Sequence, residues 1–324
     1  MKFLIIGAGM IGRVHAQALT ELSHTFSVCD YNREFAEKLK NDFGADQAFT
    51  DYQTAVLKSG AQVAIICTPN HLHADPAIFA MEHGMDVLCE KPMASSFEDA
   101  RRIYEAQQKT GRKLMVGYIV RCYPALDYVK KKVEEGVLGT VISARCILAA
   151  PETLDVAKTT YRKSYETGGG IIYDYTHEID YCRYLLGEPD QVAAFCGSHI
   201  RKDQTVDDNA DMLFHFAGDV VLELHMDYVQ YAGYGTGRSI QIIGDKGCIE
   251  CDFKKCVLTL YDGTVEEVSL PADWPAPFKT QIGRMEAIEE GKDIPYVTAF
   301  DGMRIIEIAD KVYESARTAR FVAL

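Results

Sequence analysis

The sequence predicts two α/β domains, the first a doubly wound parallel sheet and the second an open, mostly antiparallel sheet with helices. Three observations carry this. Apolar runs at 2–7, 26–30, 62–68 and 86–91 alternate with helical patterns. Such runs, apolar throughout, are what strands buried on both faces require. Beyond about residue 120 the rhythm changes to strands that follow one another across short turns. Finally, 324 residues exceed one ordinary hydrophobic core. The division is expected at 1–120 and 121–324, with no Pro- and Ser-rich linker between the two.

Taken in order, helical stretches at 12–22, 32–43, 51–58 and 74–83 supply the crossovers that parallel strands need. Ser95 and Glu98 have capping-box spacing and open a helix through about Thr110, before a further apolar strand at 113–118. A helix at 124–135 leads to the strand at 140–149, and a helix at 174–186 precedes strands at 191–199, 210–216, 219–228, 238–243, 247–253 and 256–261. The turns at 216–219 and 261–264 carry Gly and Asp residues that tolerate positive φ, so hairpins are expected there. Helices return at 281–290 and 301–317.

Gly7, Gly9 and Gly12 form GAGMIG between the first strand and the first helix. A dinucleotide-binding Rossmann turn needs this pattern: one glycine for the tight turn, one for close approach of the backbone to a pyrophosphate, one for helix packing. Met10 and Ile11 stand between them, at the helix start that faces the phosphates. Asp30 ends the second strand 18 residues after Gly12, placed to accept hydrogen bonds from an adenosine ribose. A carboxylate there repels a 2′-phosphate, and Arg33 is the one nearby group to attract it. NAD is therefore expected rather than NADP.

Through GAGMIG, CTPNHLHADPAIFAMEHGMDVLCEKP and GGGIIYDYTHEIDYCRYLLG the chain resembles the glucose-fructose oxidoreductase / inositol dehydrogenase (Gfo/Idh/MocA) family over nearly its whole length, including the tail from Ile282. The resemblance implies that Lys91 of the EKP motif reaches the nicotinamide and the substrate hydroxyl, with Glu90 beside it and the Lys91–Pro92 bond often cis. It also implies that Thr68, Pro69, Asn70 and His73 border the cofactor. An ammonium at the carboxyl end of a parallel strand can stabilise a developing alkoxide, although a solvated lysine at a strand end is common. Asp174 and His177, three apart in the expected helix, would share one face. His177 is the candidate base, and Asp174 would orient it, stabilise its cation or bind a substrate hydroxyl. A capping Asp and a packed His would show the same spacing. Arg121, Tyr161, Arg162 and Tyr165 are substrate candidates, with Lys163, Asp227 and Tyr228 as further ones; ordinary surface pairing explains several of them equally well.

The reading is thus an oxidoreductase that moves a hydride between NAD and a secondary hydroxyl or ketone of a polyol, sugar or sugar derivative, its active site between the domains. Two alternatives stand beside it: redox-assisted elimination, isomerisation or glycoside cleavage with NAD retained, and a non-catalytic NAD-binding sugar sensor. The family commonly forms dimers or tetramers through the open sheet, and an uncovered apolar sheet face makes a homo-oligomer the physical expectation. The net charge of -13 argues against nucleic acid as a partner. No run approaches the roughly 20 apolar residues of a membrane span, and no signal peptide or anchor is read. Ten cysteines, scattered without a disulfide or zinc pattern, fit a reducing cytoplasm. No metal site is expected: His15, His71 and His73 lie near the cofactor turns, and the cluster Cys248, Cys251 and Cys256, for which metal binding is the minority reading, lies in strand-like sequence where residues three apart point to opposite faces.

Overall fold

Near-continuous Val, Ile, Leu and Phe make the first six strands: β1 (Lys2–Ile6), β2 (Thr25–Cys29), β3 (Ala48–Phe49), β4 (Val63–Ile66), β5 (Asp86–Cys89) and β6 (Leu114–Val116). The computed structural model describes residues 1–150, 163–199, 206–228 and 237–324. In it these strands form one parallel sheet in the order β3-β2-β1-β4-β5-β6. That order reverses at β1 and β4, the switch point outside whose carboxyl ends α/β sheets bind ligands. The crossovers are α1 (Met10–Glu21), α2 (Arg33–Phe43), α3 (Tyr52–Lys58), α4 (Ala74–Glu82) and α5 (Phe97–Thr110). The short β3 carries too little apolar sequence to announce itself. The cap predicted at Ser95 falls one residue later, where Ser96 Oγ accepts the Asp99 N–H at 3.2 Å and Gly111 closes the helix in the left-handed region.

Contacts divide the described chain into two compact units, Met1–Ile119 with Asp273–Ile306, and Val120–Ala272 with Glu307–Leu324. A cut at 120/121 would leave residues 273–306 with the second unit. They belong to the first because Phe278, Ile282, Met285 and Ile288 join the core made by Phe3, Ile5, Leu19 and Val28.

The second unit is built on nine strands. β7 (Val141–Ala149), β8 (Pro189–Gly197), β9 (Asn209–Phe216), β10 (Val220–Asp227), β11 (Gly237–Gly244), β12 (Gly247–Cys251), β13 (Lys255–Leu260), β14 (Val265–Ser269) and β15 (Val322–Ala323) take the order β14-β13-β12-β11-β7-β10-β9-β8-β15. Pairing is antiparallel except between β7 and β10. Period-two patterning buries Ala144, Cys146 and Leu148 while Arg145 and Ile147 face outward, along with Phe195 and Leu213. β14 and β15 lie outside the sequence expectation: two of the five residues of the first are charged, and the second has two residues.

The single helix expected over 174–186 is two. α6 (Pro124–Glu134) is followed by a four-residue α7 (Ile171–Asp174), a break at Tyr175 with φ -119° and ψ 43°, and α8 (His177–Leu186). Asp174 therefore ends one helix and His177 begins the next. The shared-face argument from a spacing of three does not hold for this pair.

Candidate active site

The glycine turn shows why each glycine is needed. Gly7 has φ +109°, and a Cβ there would stand 2.6 Å from the Cys67 carbonyl carbon. At Gly12 a Cβ would come within 2.0 Å of the Gly7 oxygen, so nothing larger lets α1 sit this close to the turn. Gly9 faces open space, and as N-cap it offers no side-chain acceptor to the first N–H groups of α1. No acidic residue occupies the first turn, Met10 is exposed and Ile11 half-buried. These free N–H groups at a positive dipole end fit a pyrophosphate.

Asp30 follows β2 directly. Its carboxylate accepts the Ala8 N–H at 2.8 Å and the Asn32 N–H at 2.9 Å, so it braces the glycine turn as well as facing the place expected for a ribose. The residues present fit a dinucleotide.

At the carboxyl end of β5, Glu90 is buried and Lys91 half-buried, and the Lys91–Pro92 peptide is cis. Glu90 Oε1 lies 2.7 Å from His15 Nε2, and its Oε2 accepts the Lys91 N–H at 3.3 Å. Thr68 and Pro69 are half-buried at the end of β4, with Asn70 buried in a short turn of helix. His73 is buried as well. It is 1% exposed, with Nε2 2.7 Å from the Thr68 carbonyl and Nδ1 3.0 Å from the Pro92 carbonyl. Burial holds its ring below the ordinary histidine pKa, against the pull of the nearby carbonyls and Glu90.

In the second unit Asp174 and His177 are both buried, and Asp174 Oδ2 accepts the Tyr228 hydroxyl at 2.8 Å. Gly170, which precedes α7, is demanded by Asp207. A Cβ on Gly170, which has φ +98°, would lie 2.4 Å from its Oδ1, and its Oδ2 accepts the Ile171 N–H at 3.1 Å. Asp207, missed in the sequence, thus anchors the start of the helix carrying Asp174. Burial raises its carboxyl pKa, opposed by the Tyr313 hydroxyl, which donates to it at 2.8 Å.

Arg121 sits in a buried ion pair. Its guanidinium grips Asp180 in bidentate fashion, at 2.8 and 2.7 Å, with the Tyr184 ring 4.4 Å from its carbon, and both charges are buried. A side chain so committed is a core ion pair. Tyr165 is exposed, its ring edge-on to Tyr313 and its hydroxyl bonded to Asp207. Tyr161 and Arg162 lie outside the described residues.

Cys251 and Cys256 oppose each other across β12 and β13 with their sulfur atoms adjacent, a proximity the scattered spacing did not suggest. Among the described residues no group of His, Cys, Asp and Glu is arranged to hold a metal ion, and no helix is long and apolar enough to cross a membrane.

Residues 1–118 match the model of an oxidoreductase family with an NAD-binding Rossmann fold, and residues 126–250 match the Gfo/Idh/MocA C-terminal domain. Fold, turn and braced acid thus define an oxidoreductase with an NAD-binding Rossmann domain. The chain belongs to the Gfo/Idh/MocA family. Inositol 2-dehydrogenase of Rhizobium meliloti is 26% identical over an alignment covering 100% of this chain and 99% of that protein. 2,7-anhydro-N-acetylneuraminate hydratase of Mediterraneibacter gnavus is 28% identical over 82% of this chain and 71% of its own. The structure of levoglucosan dehydrogenase in complex with NADH and levoglucosan has the same fold, with a TM-score of 0.91 at 24% identity, covering 100% of this chain and 99% of that one.

Proposed function

We propose that the protein is an NAD-dependent dehydrogenase interconverting a secondary hydroxyl and a ketone on a polyol, sugar or sugar derivative. The observation that carries it is the uncapped glycine-turn helix beside Asp30, in a chain whose two parts match the two domains of one oxidoreductase family. Curated relatives named for inositol and levoglucosan dehydrogenation support the substrate class.

NAD, when bound, supplies the acceptor or donor of the hydride. The α1 N-terminus would hold its pyrophosphate, with Met10 and Ile11 in the first turn, and Asp30 its ribose; Thr68, Pro69, Asn70 and Glu90 would border it. For oxidation, His177 takes the hydroxyl proton as the C–H bond breaks, and the Lys91 ammonium stabilises the oxygen as its charge grows. Asp174, held by Tyr228, orients the base or a substrate hydroxyl.

The relative named as a hydratase favours a second reading, in which NAD stays bound and transient oxidation assists addition or elimination. We further propose a cytoplasmic homo-oligomer associating through the open sheet face, on which Phe195, Leu213 and Ile147 are exposed.

The test is reduced-nicotinamide absorbance with a panel of inositols, sugars, sugar acids and nucleotide sugars. Lys91→Ala and His177→Ala should each lose about 10²–10⁴-fold in kcat. Turnover of bound substrate without net NADH would favour the retained-cofactor reading, and ligand binding without any turnover would favour a sensor.

A further inference from the structure

Two histidines of the first unit are fully or almost fully buried, and neither takes part in the chemistry proposed above. His15 lies on α1, the helix of the glycine turn, and is 0% exposed. Phe278 packs edge-on against its ring at 5.0 Å between centroids, and Nε2 meets Glu90 Oε1 at 2.7 Å. Its Nδ1 is buried with no hydrogen-bond partner. A bare buried acceptor is cheaper than a bare buried N–H, which places the ring proton on Nε2, donating to the Glu90 carboxylate.

The second oxygen of Glu90 accepts the Lys91 N–H. Gly117 lies close beside this side chain, where a Cβ would stand 3.0 Å from the Glu90 Cα, Cδ and Oε2. On the other side of Lys91, His73 lies between the Pro92 and Thr68 carbonyls. Glu90 is thus held by a buried imidazole from α1, and a second buried imidazole, from the turn after β4, packs against the Pro92 and Thr68 carbonyls and donates its single N–H to one of them.

We infer that His15 and His73 form a bracket that fixes the backbone on either side of Lys91, with His15 a positioning residue of the reaction acting through Glu90. The inference rests on the assignment of Lys91 above. Stability alone gives no reason for the arrangement, because apolar side chains of similar volume would fill the site without desolvating a carboxylate. What the polar link adds is position: it ties the helix expected to hold the pyrophosphate to the residue expected to meet the substrate. A misplacement of about 1 Å at a reacting group can cost about 10²-fold in rate.

The experiment uses the full-length enzyme with His15→Leu, which removes the donor, and His15→Gln, whose amide nitrogen reaches the place of Nε2. His15→Leu should lower kcat by about 10- to 100-fold, with KM and the Kd for NAD changed less than about threefold, and His15→Gln should restore kcat to within about fivefold of the parent. Equal activity in parent and Leu variant overturns the proposal, as does an equal loss in both variants or a loss of NAD affinity that accounts for the fall. If His15→Leu does not fold, His15→Asn replaces it, because its shorter amide cannot reach Glu90.

Hydrogen exchange of the Lys91 amide gives a readout that needs no turnover. It should speed up about tenfold or more in the Leu or Asn variant and stay near the parent rate in the Gln variant. Unchanged exchange in all variants refutes the bracket even where the parent turns over substrate. Conversely, the expected exchange pattern with no turnover in the parent would count against the dehydrogenase reading alone.

Discussion

Replacing Arg121 by Met separates a substrate ligand from a core ion pair. In the structure the guanidinium donates to both oxygens of Asp180 at 2.8 and 2.7 Å, with side chains 9% and 0% exposed. Removing it leaves a carboxylate that water cannot reach without its counter-charge, a loss of about 3–5 kcal/mol for a buried pair. For a domain of this size each kcal/mol moves the melting temperature by about 2–4 °C, so Tm of the second unit should fall by about 6–20 °C. The assay is differential scanning calorimetry beside steady-state kinetics below the lowered transition. KM should change by less than about threefold, since the guanidinium is committed to Asp180, and the double variant Arg121→Met with Asp180→Leu should recover most of the lost Tm, because an apolar pair of similar volume has no charge to desolvate. The reasoning is refuted if Arg121→Met melts within about 2 °C of the parent while KM rises tenfold, because stability of that order means no buried pair was broken.

Three further outcomes are expected. Gly12→Ala drives a Cβ to 2.0 Å from the Gly7 oxygen, and displacing α1 should weaken NAD binding at least about tenfold, measured by NADH fluorescence titration; normal affinity would show that the turn yields. Tyr228→Phe removes the hydroxyl that donates to Asp174, and kcat should fall about tenfold, in line with a hydrogen bond to a charged group, with the fold intact by circular dichroism. His73 and His225 should titrate on opposite sides of the ordinary value near 6.5, followed by NMR of the imidazole protons. Burial lowers His73, so its contribution to stability is present above about pH 6.5 and is lost as pH falls toward its lowered value. His225 is opposed by burial but raised overall by Asp211 and Asp227 at 2.6 and 2.8 Å; its contribution is complete below about pH 6.5 and disappears as pH rises through the raised value.

The sequence by itself determined the parallel sheet, the antiparallel sheet and the dinucleotide turn. These depend on local rules: continuous apolar runs must be covered on both faces, alternating ones on a single face, and Gly7 and Gly12 leave no room for a Cβ. Tertiary structure decided what such rules cannot reach. Phe278 and Met285 return to the first unit because a core recruits apolar side chains from any distance along the chain. The helix carrying Asp174 and His177 breaks at Tyr175, a turn with no Pro or Gly at the break to mark it. Arg121 finds Asp180 at a separation of 59 residues, and His15 finds Glu90 at 75. In each case the partner of a charged or polar side chain is set by which strand ends and helices lie side by side, and that adjacency has no period or spacing in the sequence.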